Sequence, residues 1–400
     1  MEPDQTMNSG ISRRGVLRGI TASSAMRVMG ANDRVRLGIV GTGLRGEYLM
    51  QRANAAGGIQ WVAVCDAYDV RRDKAEKTAG TPVEKYVDYR RMVDRKDIDG
   101  IILATWDNTH CDIAVAVLES GKDLYIEKPM TLHPMEGRRI VGAVRSHKRI
   151  LQTGTQQRSH PHFAEAKAKF IDSGRIGKIT CVRTYWNSNL AYRNQKPPDG
   201  MERKPAGLDW DACQGSLPKL PWDPKRYFNH YVYWDYSTNA QMGGLFVHMI
   251  DIVHWYCKVQ QPLAADCFGG IYLGGEGRDT ADHINAIVHY PNNLLVTFEA
   301  NVADGIRREN QDMVFMGTAG RLHIFRYGYR FLSSEDDGKT EITAGTTPDL
   351  HVANWLDCIR TRKKAACDEE AGHYSAMACH VCNIAYREQR RVQWNKEWTI

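Results

Sequence analysis

The chain has no run of eighteen apolar residues uninterrupted by charge or polar clusters, so no segment is long enough to span a bilayer as a helix. It has no internal repeat and no low-complexity linker, which sets aside solenoids and beaded arrays. Charge of one sign is scarce as well: 53 Lys and Arg stand against 47 Asp and Glu, a net charge of +6. Half of that excess lies in residues 1–36, where six Arg face only Glu2, Asp4 and Asp33. The remainder is nearly balanced and lacks the basic stripe that a phosphate backbone requires, so nucleic acid is not an expected partner. Ten cysteines are scattered, with one close pair, Cys379 and Cys382, in a stretch of helical character. That usage suits buried thiols rather than a disulfide scaffold or a zinc pair. Ser159-His160-Pro161-His162 offers two imidazoles with no acid or thiol at ligand spacing, and no metal is expected there.

What is present is a globular composition, 42% hydrophobic and 25% charged, in 400 residues. This exceeds the usual single core of about 100 to 200 residues, so two domains are expected. Val35 to Gly41 reads as a buried strand that runs into Gly41-Thr42-Gly43-Leu44-Arg45-Gly46, and Glu47 to Asn54 reads as a helix. Strand, glycine turn and helix together form a dinucleotide fingerprint. Gly41 allows the tight turn, Gly43 lets the backbone approach a pyrophosphate, and Gly46 lets helix and strand pack closely. Twenty residues after Gly46, Asp66 closes a second apolar strand, Trp61 to Cys65, where a carboxylate suits ribose hydroxyls. That favours NAD, while Arg71 and Arg72 leave NADP open. Further alternation gives strands Gly100 to Ala104 and Asp123 to Ile126 with helices around Tyr89 to Val93 and Asp112 to Glu119, hence parallel βαβ winding. Thr105, Asp107 and His110, and then Glu127 and Lys128, follow the carboxyl ends of these strands, where ligands of such sheets bind.

From Lys178 onward the strands lengthen: Ile179 to Trp186, Ala264 to Tyr272, His283 to Tyr290, Leu294 to Ala300 and Asp312 to Phe315. They predict an open, mostly antiparallel sheet. The fold class is therefore α/β, an N-terminal doubly wound parallel sheet of the Rossmann kind followed by a C-terminal α+β domain. Residues 34–155 form the first domain, 156–349 the second, and 350–400 helices that return to pack on the first. Residues 206–256 hold eleven aromatics, more than twice the chain's average density. Aromatic faces beside polar groups suit a sugar or polyol, whose C–H faces are apolar and rims polar. Trp234 and Tyr236, with Arg158, Tyr185 and Asn187, are candidates to line its pocket.

Taken together, these motifs resemble the Gfo/Idh/MocA oxidoreductases, named for glucose-fructose oxidoreductase and inositol dehydrogenase. The match is carried by Gly38 to Gly46, Cys65-Asp66, Ala104-Thr105 with Asp107 and His110, Glu127-Lys128-Pro129, and Gly154-Thr-Gln-Gln157-Arg158. It continues through Trp222 to Arg226, Trp234 to Tyr236, His248 to Asp251 and Asn354 to Arg390, almost everything after residue 33. The resemblance implies NAD bound by Gly41 to Gly46, Asp66, Thr105, Asp107, His110, Glu127, Lys128 and Gln157. It also implies that Lys128 contacts the reacting hydroxyl and that His248 is the base removing its proton. Physical chemistry agrees, because an ammonium at a strand end stabilises a developing alkoxide and an imidazole titrates nearest neutrality. Family members commonly carry Asp four residues before this histidine, where Gly244 stands here; Asp251, at i+3 from His248 on a helix, is the candidate to compensate.

The expected function is hydride transfer between a sugar or polyol hydroxyl and nicotinamide. One alternative is a sugar lyase or glycosidase that oxidises, eliminates and reduces on a retained cofactor, and another is a non-catalytic NAD-binding sensor. By analogy with relatives that dimerise through the second sheet, a homo-oligomer is expected. Finally, Ser12-Arg13-Arg14-Gly15-Val16-Leu17 looks like a twin-arginine signal, so export to the periplasm or medium is expected. Val16 stands where Phe is usual and Arg27 interrupts the apolar stretch, and the alternative is a disordered tail on a cytoplasmic protein.

Overall fold

The structure is a computed structural model that describes residues 34–187, 196–274, 277–302, 311–334, 340–344 and 350–400. The arginine pair at positions 13 and 14 lies outside the described residues. Among the described residues the strands form two sheets, of six and nine members. The first contains β1 (Val35–Val40), β2 (Ile59–Cys65), β3 (Glu84–Tyr86), β4 (Gly100–Leu103), β5 (Asp123–Ile126) and β6 (Leu151–Thr153). Every pairing is parallel, in the order β3-β2-β1-β4-β5-β6. Helices α1 (Leu44–Ala56), α2 (Asp69–Ala79), α3 (Tyr89–Val93), α4 (Asp107–Glu119) and α5 (Glu136–His147) connect the strands. Covered on both faces, β1, β4 and β5 are apolar nearly throughout rather than alternating. Strand order reverses between β1 and β4, which opens a crevice at their carboxyl ends.

The second domain begins with the short helix α6 (Pro161–Ala166) and the strand β7 (Ile179–Trp186). An insertion carrying α7 (Trp210–Gln214) and α8 (Pro224–Phe228) follows, then a π-helical segment, Asn239–Phe246, which runs into α9 (Val247–Cys257). Next come β8 (Ala264–Gly270), β9 (His283–Tyr290), β10 (Leu294–Ala300), β11 (Gln311–Gly317), β12 (Gly320–Phe325), β13 (Gly328–Ser333) and β14 (Thr340–Ala344). The chain ends with α10 (His351–Thr361), α11 (Glu369–Glu388) and β15 (Val392–Gln393). The sheet order is β14-β13-β12-β11-β7-β10-β9-β8-β15, antiparallel except between β7 and β10. Strand alternation sends Val182, Val288, Val296 and Phe315 into a core with Phe246, Ile250 and Val253. The opposite face is open: Phe268 is 72% and Ile287 41% exposed.

Two expectations about this half need correction. The strand list was short: β12, β13 and β14 extend the sheet past β11 by hairpins. The C-terminal helices also divide their allegiance. Helix α10 packs on the first domain, burying Trp355 against Leu37, Leu49 and Tyr125. Helix α11 instead places Met377, Ala378, Val381 and Cys382 in the second core, and only its other flank reaches the first domain, where His380 Nε2 lies 2.9 Å from Thr131 Oγ1. Cys379 and Cys382 are buried in that core, and burial pushes the Cys382 thiol up to about 12.

Helix α9 is held by a buried ion pair. Asp251 has no exposed surface, and Arg158, just beyond β6, gives it Nε at 2.7 Å and Nη2 at 2.9 Å. Ser375 of α11 donates a third bond at 2.9 Å. Asp251→Ala would strand the guanidinium in the interior, and we expect a loss of about 3 to 5 kcal/mol in urea unfolding. Replacing both partners by apolar residues of similar volume, Arg158→Met with Asp251→Leu, should recover much of it; equal losses in single and double variants would contradict the assignment.

Candidate active site and nucleotide cleft

The loop after β1 is shaped by backbone contacts. Gly41 adopts φ +87°, and a Cβ there would lie 2.6 Å from the Ala104 carbonyl at the end of β4. A Cβ on Gly46 would lie 2.0 Å from the Gly41 oxygen, so α1 can approach β1 only with glycine. Gly43 differs: the nearest atom to its added Cβ is Arg71 Nη1 at 3.6 Å, so nothing in the protein's backbone forbids a side chain there. The space it leaves faces a cleft of about 880 Å³. The first turn of α1 has no side-chain cap, which leaves its N–H groups for an anion.

Asp66 stands beside this loop. Its Oδ2 accepts from Thr42 N at 2.7 Å and Thr42 Oγ1 at 3.1 Å, and its Oδ1 accepts from Tyr68 N at 2.9 Å. A carboxylate has about four lone-pair sites, so capacity remains for one further donor such as a ribose hydroxyl. Arg72 is committed to the Asp66 carbonyl at 2.5 Å, whereas Arg71 lines the cleft with its guanidinium 5.2 Å from the Tyr227 ring. Thr42, Leu44, Arg45 and Thr105 complete the near wall.

The far wall comes from the second-domain insertion, which the sequence had not placed. Tyr68 and Leu208 form a β-bridge, Asp209 N donates to Ala67 O at 2.9 Å, and Asp69 N donates to Gly207 O at 3.1 Å. Asn108 donates to Gln214 O at 3.1 Å, and the His230 ring stacks on Trp106 at 4.4 Å. Cys213, Ser216, Tyr227 and His230 thereby roof the nucleotide side of the cleft. Most of the aromatic excess is spent here: Trp210, Tyr227, Tyr233 and Tyr236 are buried against one another and against Trp106. Only the density of rings was visible beforehand, not the surface they would cover.

At the ends of β4 and β5 the expected residues divide by role. His110 does not line the cleft; its Nδ1 is 2.9 Å from Pro129 O and its Nε2 3.2 Å from Thr105 O, so it ties the two strand-end loops together. Asp107 is half-buried and accepts from Thr238 N at 2.9 Å, and desolvation holds its carboxyl above the usual range against the pull of His110 and Lys128. Glu127 accepts from Arg45 Nε at 2.6 Å.

Lys128 follows Glu127 in the bend just past β5. Its Nζ donates to the carbonyl of Gly244 at 3.0 Å. Gly244 lies four residues, about one helical turn, before His248, so an ammonium from the first domain sits against the segment that carries an imidazole of the second. Burial drives the His248 pKa well below 6.5, and the cations Lys128, Arg45 and Arg326 push it further. Its Nδ1 is buried without a hydrogen-bond partner. The ring of Trp186 lies 6.0 Å away.

Several candidates are placed elsewhere. Asp251 does not orient His248, because its carboxylate belongs to Arg158, Ser375 and, at 3.7 Å, the Cys367 thiol. Arg158 is likewise engaged and is not a free pocket cation. Tyr185 alternates with Thr184 and Trp186, so it shares the sheet's outer face with Cys181 and Arg183, and Trp186 is the strand residue that meets His248. Asn187 bonds Glu299 Oε1 at 3.3 Å and Asn301 N at 3.1 Å. Trp234 bonds Asp279 O at 2.9 Å, and Tyr236 lies within the aromatic cluster. Gln157 is buried in the turn after β6 and does not line the cleft.

A Rossmann dinucleotide cleft, with an amine held by the segment that leads to an imidazole beyond the strand ends, suits an oxidoreductase. Comparison with known proteins agrees: the NAD-binding Rossmann fold of an oxidoreductase family matches residues 35–155, and that family's C-terminal alpha/beta domain matches residues 169–399. The chain belongs to the Gfo/Idh/MocA oxidoreductase family. Inositol 2-dehydrogenase from Salmonella typhimurium is 32% identical over 223 residues, 55% of this chain and 54% of the relative. Inositol 2-dehydrogenase/D-chiro-inositol 3-dehydrogenase from Shouchella clausii is 29% identical over 225 residues, 55% and 52% of the two chains. The chain thus spans about half the length of these curated relatives. Levoglucosan dehydrogenase in complex with NADH and L-sorbose superposes with a TM-score of 0.72 at 16% identity, over 90% of this chain and 99% of that one. The WlbA dehydrogenase from Bordetella pertussis, in complex with NADH and UDP-GlcNAcA, gives 0.68 at 17%, over 90% and 99%. At such identities the likeness is one of fold.

Because a methyl on Gly46 cannot coexist with the Gly41 carbonyl, Gly46→Ala should displace the loop and weaken NAD binding by at least about tenfold in calorimetric titration. Unaltered affinity would show that the loop does not carry the cofactor.

Proposed function

We propose that the protein is an NAD-dependent dehydrogenase of a sugar or polyol hydroxyl. The observation that carries this reading is the bond from Lys128 Nζ to Gly244 O, which sets the ammonium one helical turn from His248. NAD in the cleft supplies the hydride acceptor. Lys128 holds the substrate oxygen and stabilises the negative charge that develops on it, an effect greatest in a pocket shielded from water. His248 takes the hydroxyl proton. With its pKa lowered by burial and then by neighbouring cations, Lys128 first among them, the ring is neutral at pH 7 and remains a base into acid.

A panel of sugars and inositols, followed by NADH absorbance, tests this. Lys128→Ala and His248→Ala should each lower kcat by about 10²- to 10⁴-fold while NAD affinity changes little. Since the basic form of His248 is lost only below its depressed pKa, the acid limb of kcat/KM should fall below pH 6.5 and vanish in the alanine variant. Full turnover by His248→Ala with normal NAD binding would remove the base.

One observation favours a second reading. The roof over the nucleotide side, pinned by the Tyr68 to Leu208 bridge, suits a cofactor that stays bound through many turnovers. A sugar lyase or glycosidase that oxidises, eliminates and reduces in one cycle needs such retention. It would copurify with NAD and convert sugar without net NADH, whereas a simple dehydrogenase accumulates NADH.

We also propose export by a twin-arginine route, on the strength of Arg13-Arg14, and a homo-oligomer formed through the open face that carries Phe268 and Ile287. Mature protein lacking about 30 residues supports the first proposal, as a signal peptide of the usual length requires; cytosolic protein that keeps its N-terminus opposes it. A dimer in light scattering that Phe268→Asp dissociates supports the second, and a wild-type monomer opposes it.

A further inference from the structure

Among the described residues, five lysine and arginine side chains line the nucleotide cleft, and four of them are committed. Arg45 pairs with Glu127 at 2.6 Å, Lys74 with Glu47 at 2.7 Å and Arg90 with Asp88 at 3.1 Å. Lys219 Nζ donates to the carbonyls of Asp211, at 2.9 Å, and of Gly215. Arg71 is the fifth. Among the described residues no carboxylate or carbonyl accepts from its guanidinium, and its partner is an aromatic ring.

Two surfaces place that guanidinium in the cleft. On the first-domain side, Nη1 and Cζ lie 3.6 and 3.8 Å from the point that a Cβ on Gly43 would occupy. On the roof side, Cζ lies 5.2 Å from the centre of the Tyr227 ring, which belongs to the second-domain insertion. Tyr227 is buried, and its ring is held by Phe228 at 5.1 Å, Trp222 at 5.3 Å and Trp106 at 5.9 Å.

A ring contact engages the face of a guanidinium and leaves the N–H donors on its edge for an acceptor. A long side chain held in this way has already lost the rotamer freedom that binding would otherwise cost. The adjoining backbone indicates the acceptor. Gly43 is the N-cap of α1, whose first turn carries no side-chain cap, and a helix start of that kind draws phosphate. A phosphate seated there comes within reach of Arg71, and such pairs are frequently bidentate.

We infer that Arg71 is a phosphate-binding residue of the cofactor site and that Tyr227 is its positioning residue, so that the second-domain insertion takes part in cofactor affinity. The phosphate belongs to the dinucleotide's diphosphate or is the 2′-phosphate of NADP, and the closeness to Gly43 favours the diphosphate. The inference concerns the cofactor alone and does not depend on which sugar is oxidised.

The test is calorimetric titration of NAD and of NADP into wild type, Arg71→Ala, Arg71→Lys, Tyr227→Phe and Tyr227→Leu, at low and high salt. Arg71→Ala should weaken dinucleotide binding by at least about tenfold at low salt, and the deficit should shrink as salt screens the pair in wild type. Arg71→Lys should recover part. Equal losses on NAD and NADP identify the diphosphate, and a loss confined to NADP identifies the 2′-phosphate. Wild-type affinity for both in Arg71→Ala overturns the inference, as does a deficit that salt leaves unchanged, which would mark a stack on adenine. Tyr227→Phe keeps the ring and should retain most of the affinity, whereas Tyr227→Leu should lose about threefold. If Tyr227 acts through Arg71, Tyr227→Leu costs nothing further in the Arg71→Ala background; the same loss in both backgrounds, which a loosened insertion would also produce, overturns its positioning role. Wild-type protein that binds neither dinucleotide would remove the cofactor site and the inference together.

Discussion

The ion pair between Arg158 and Asp251 fixes the frame in which everything else at this site is built. One partner follows β6 at the edge of the parallel sheet and the other lies in α9, and Ser375 brings α11 to the same carboxylate. A pair with one member fully buried is worth little as net stability, because desolvation consumes most of the attraction. Its value is geometric: misplacing either helix leaves a charge in the interior, a cost of several kcal/mol. The position of α9, and with it His248, follows from a penalty on every alternative.

That arrangement has a chemical consequence. Asp251, spent on Arg158, cannot serve as the carboxylate that orients and activates a catalytic histidine. With glycine at position 244 and, among the described residues, no acid bonded to the ring, the basicity of His248 is set by burial and by cations, which both depress it. The Gly244 carbonyl takes up the Lys128 ammonium instead.

How much of this was legible in the sequence follows from the range of each interaction. The first domain was readable because its signals are local: a strand, a glycine turn and a helix within twenty residues dictate the Gly41 and Gly46 contacts, and Asp66 arrives at the next strand end. The second domain defeated local reading where parity or partner choice decides. Tyr185 and Trp186 are adjacent and chemically alike, yet a one-residue difference in register sends them to opposite faces of β7. Asp251 sits three residues from His248 on one helix, but its partner comes from 93 residues away. The aromatic excess of residues 206–256 was real, and only the fold showed that most of the rings bury one another over the cofactor cleft. β12 and β13 each begin at glycine and carry exposed Arg321 or Arg330, which blurs their alternation.

Placing the amine and the imidazole on separate domains makes their separation a property of the joint, and the joint is polar. Thr238, just before the π-helical segment, donates N–H to Asp107 and Oγ1 to the Thr131 carbonyl, while its own carbonyl accepts from Asn383 of α11. Every one of these bonds crosses to another element, and the Gly244 carbonyl lies six residues further along the same segment. A π-helical turn is less favourable than an α-helical one and persists only where its surroundings impose it. Here the imposition comes from both ends, Thr238 at the start and the Arg158 ion pair on α9 beyond it. The same contacts that keep the irregular turn in place hold the Gly244 carbonyl against Lys128 and carry His248 beyond it, so the local irregularity and the placement of this pair are one constraint.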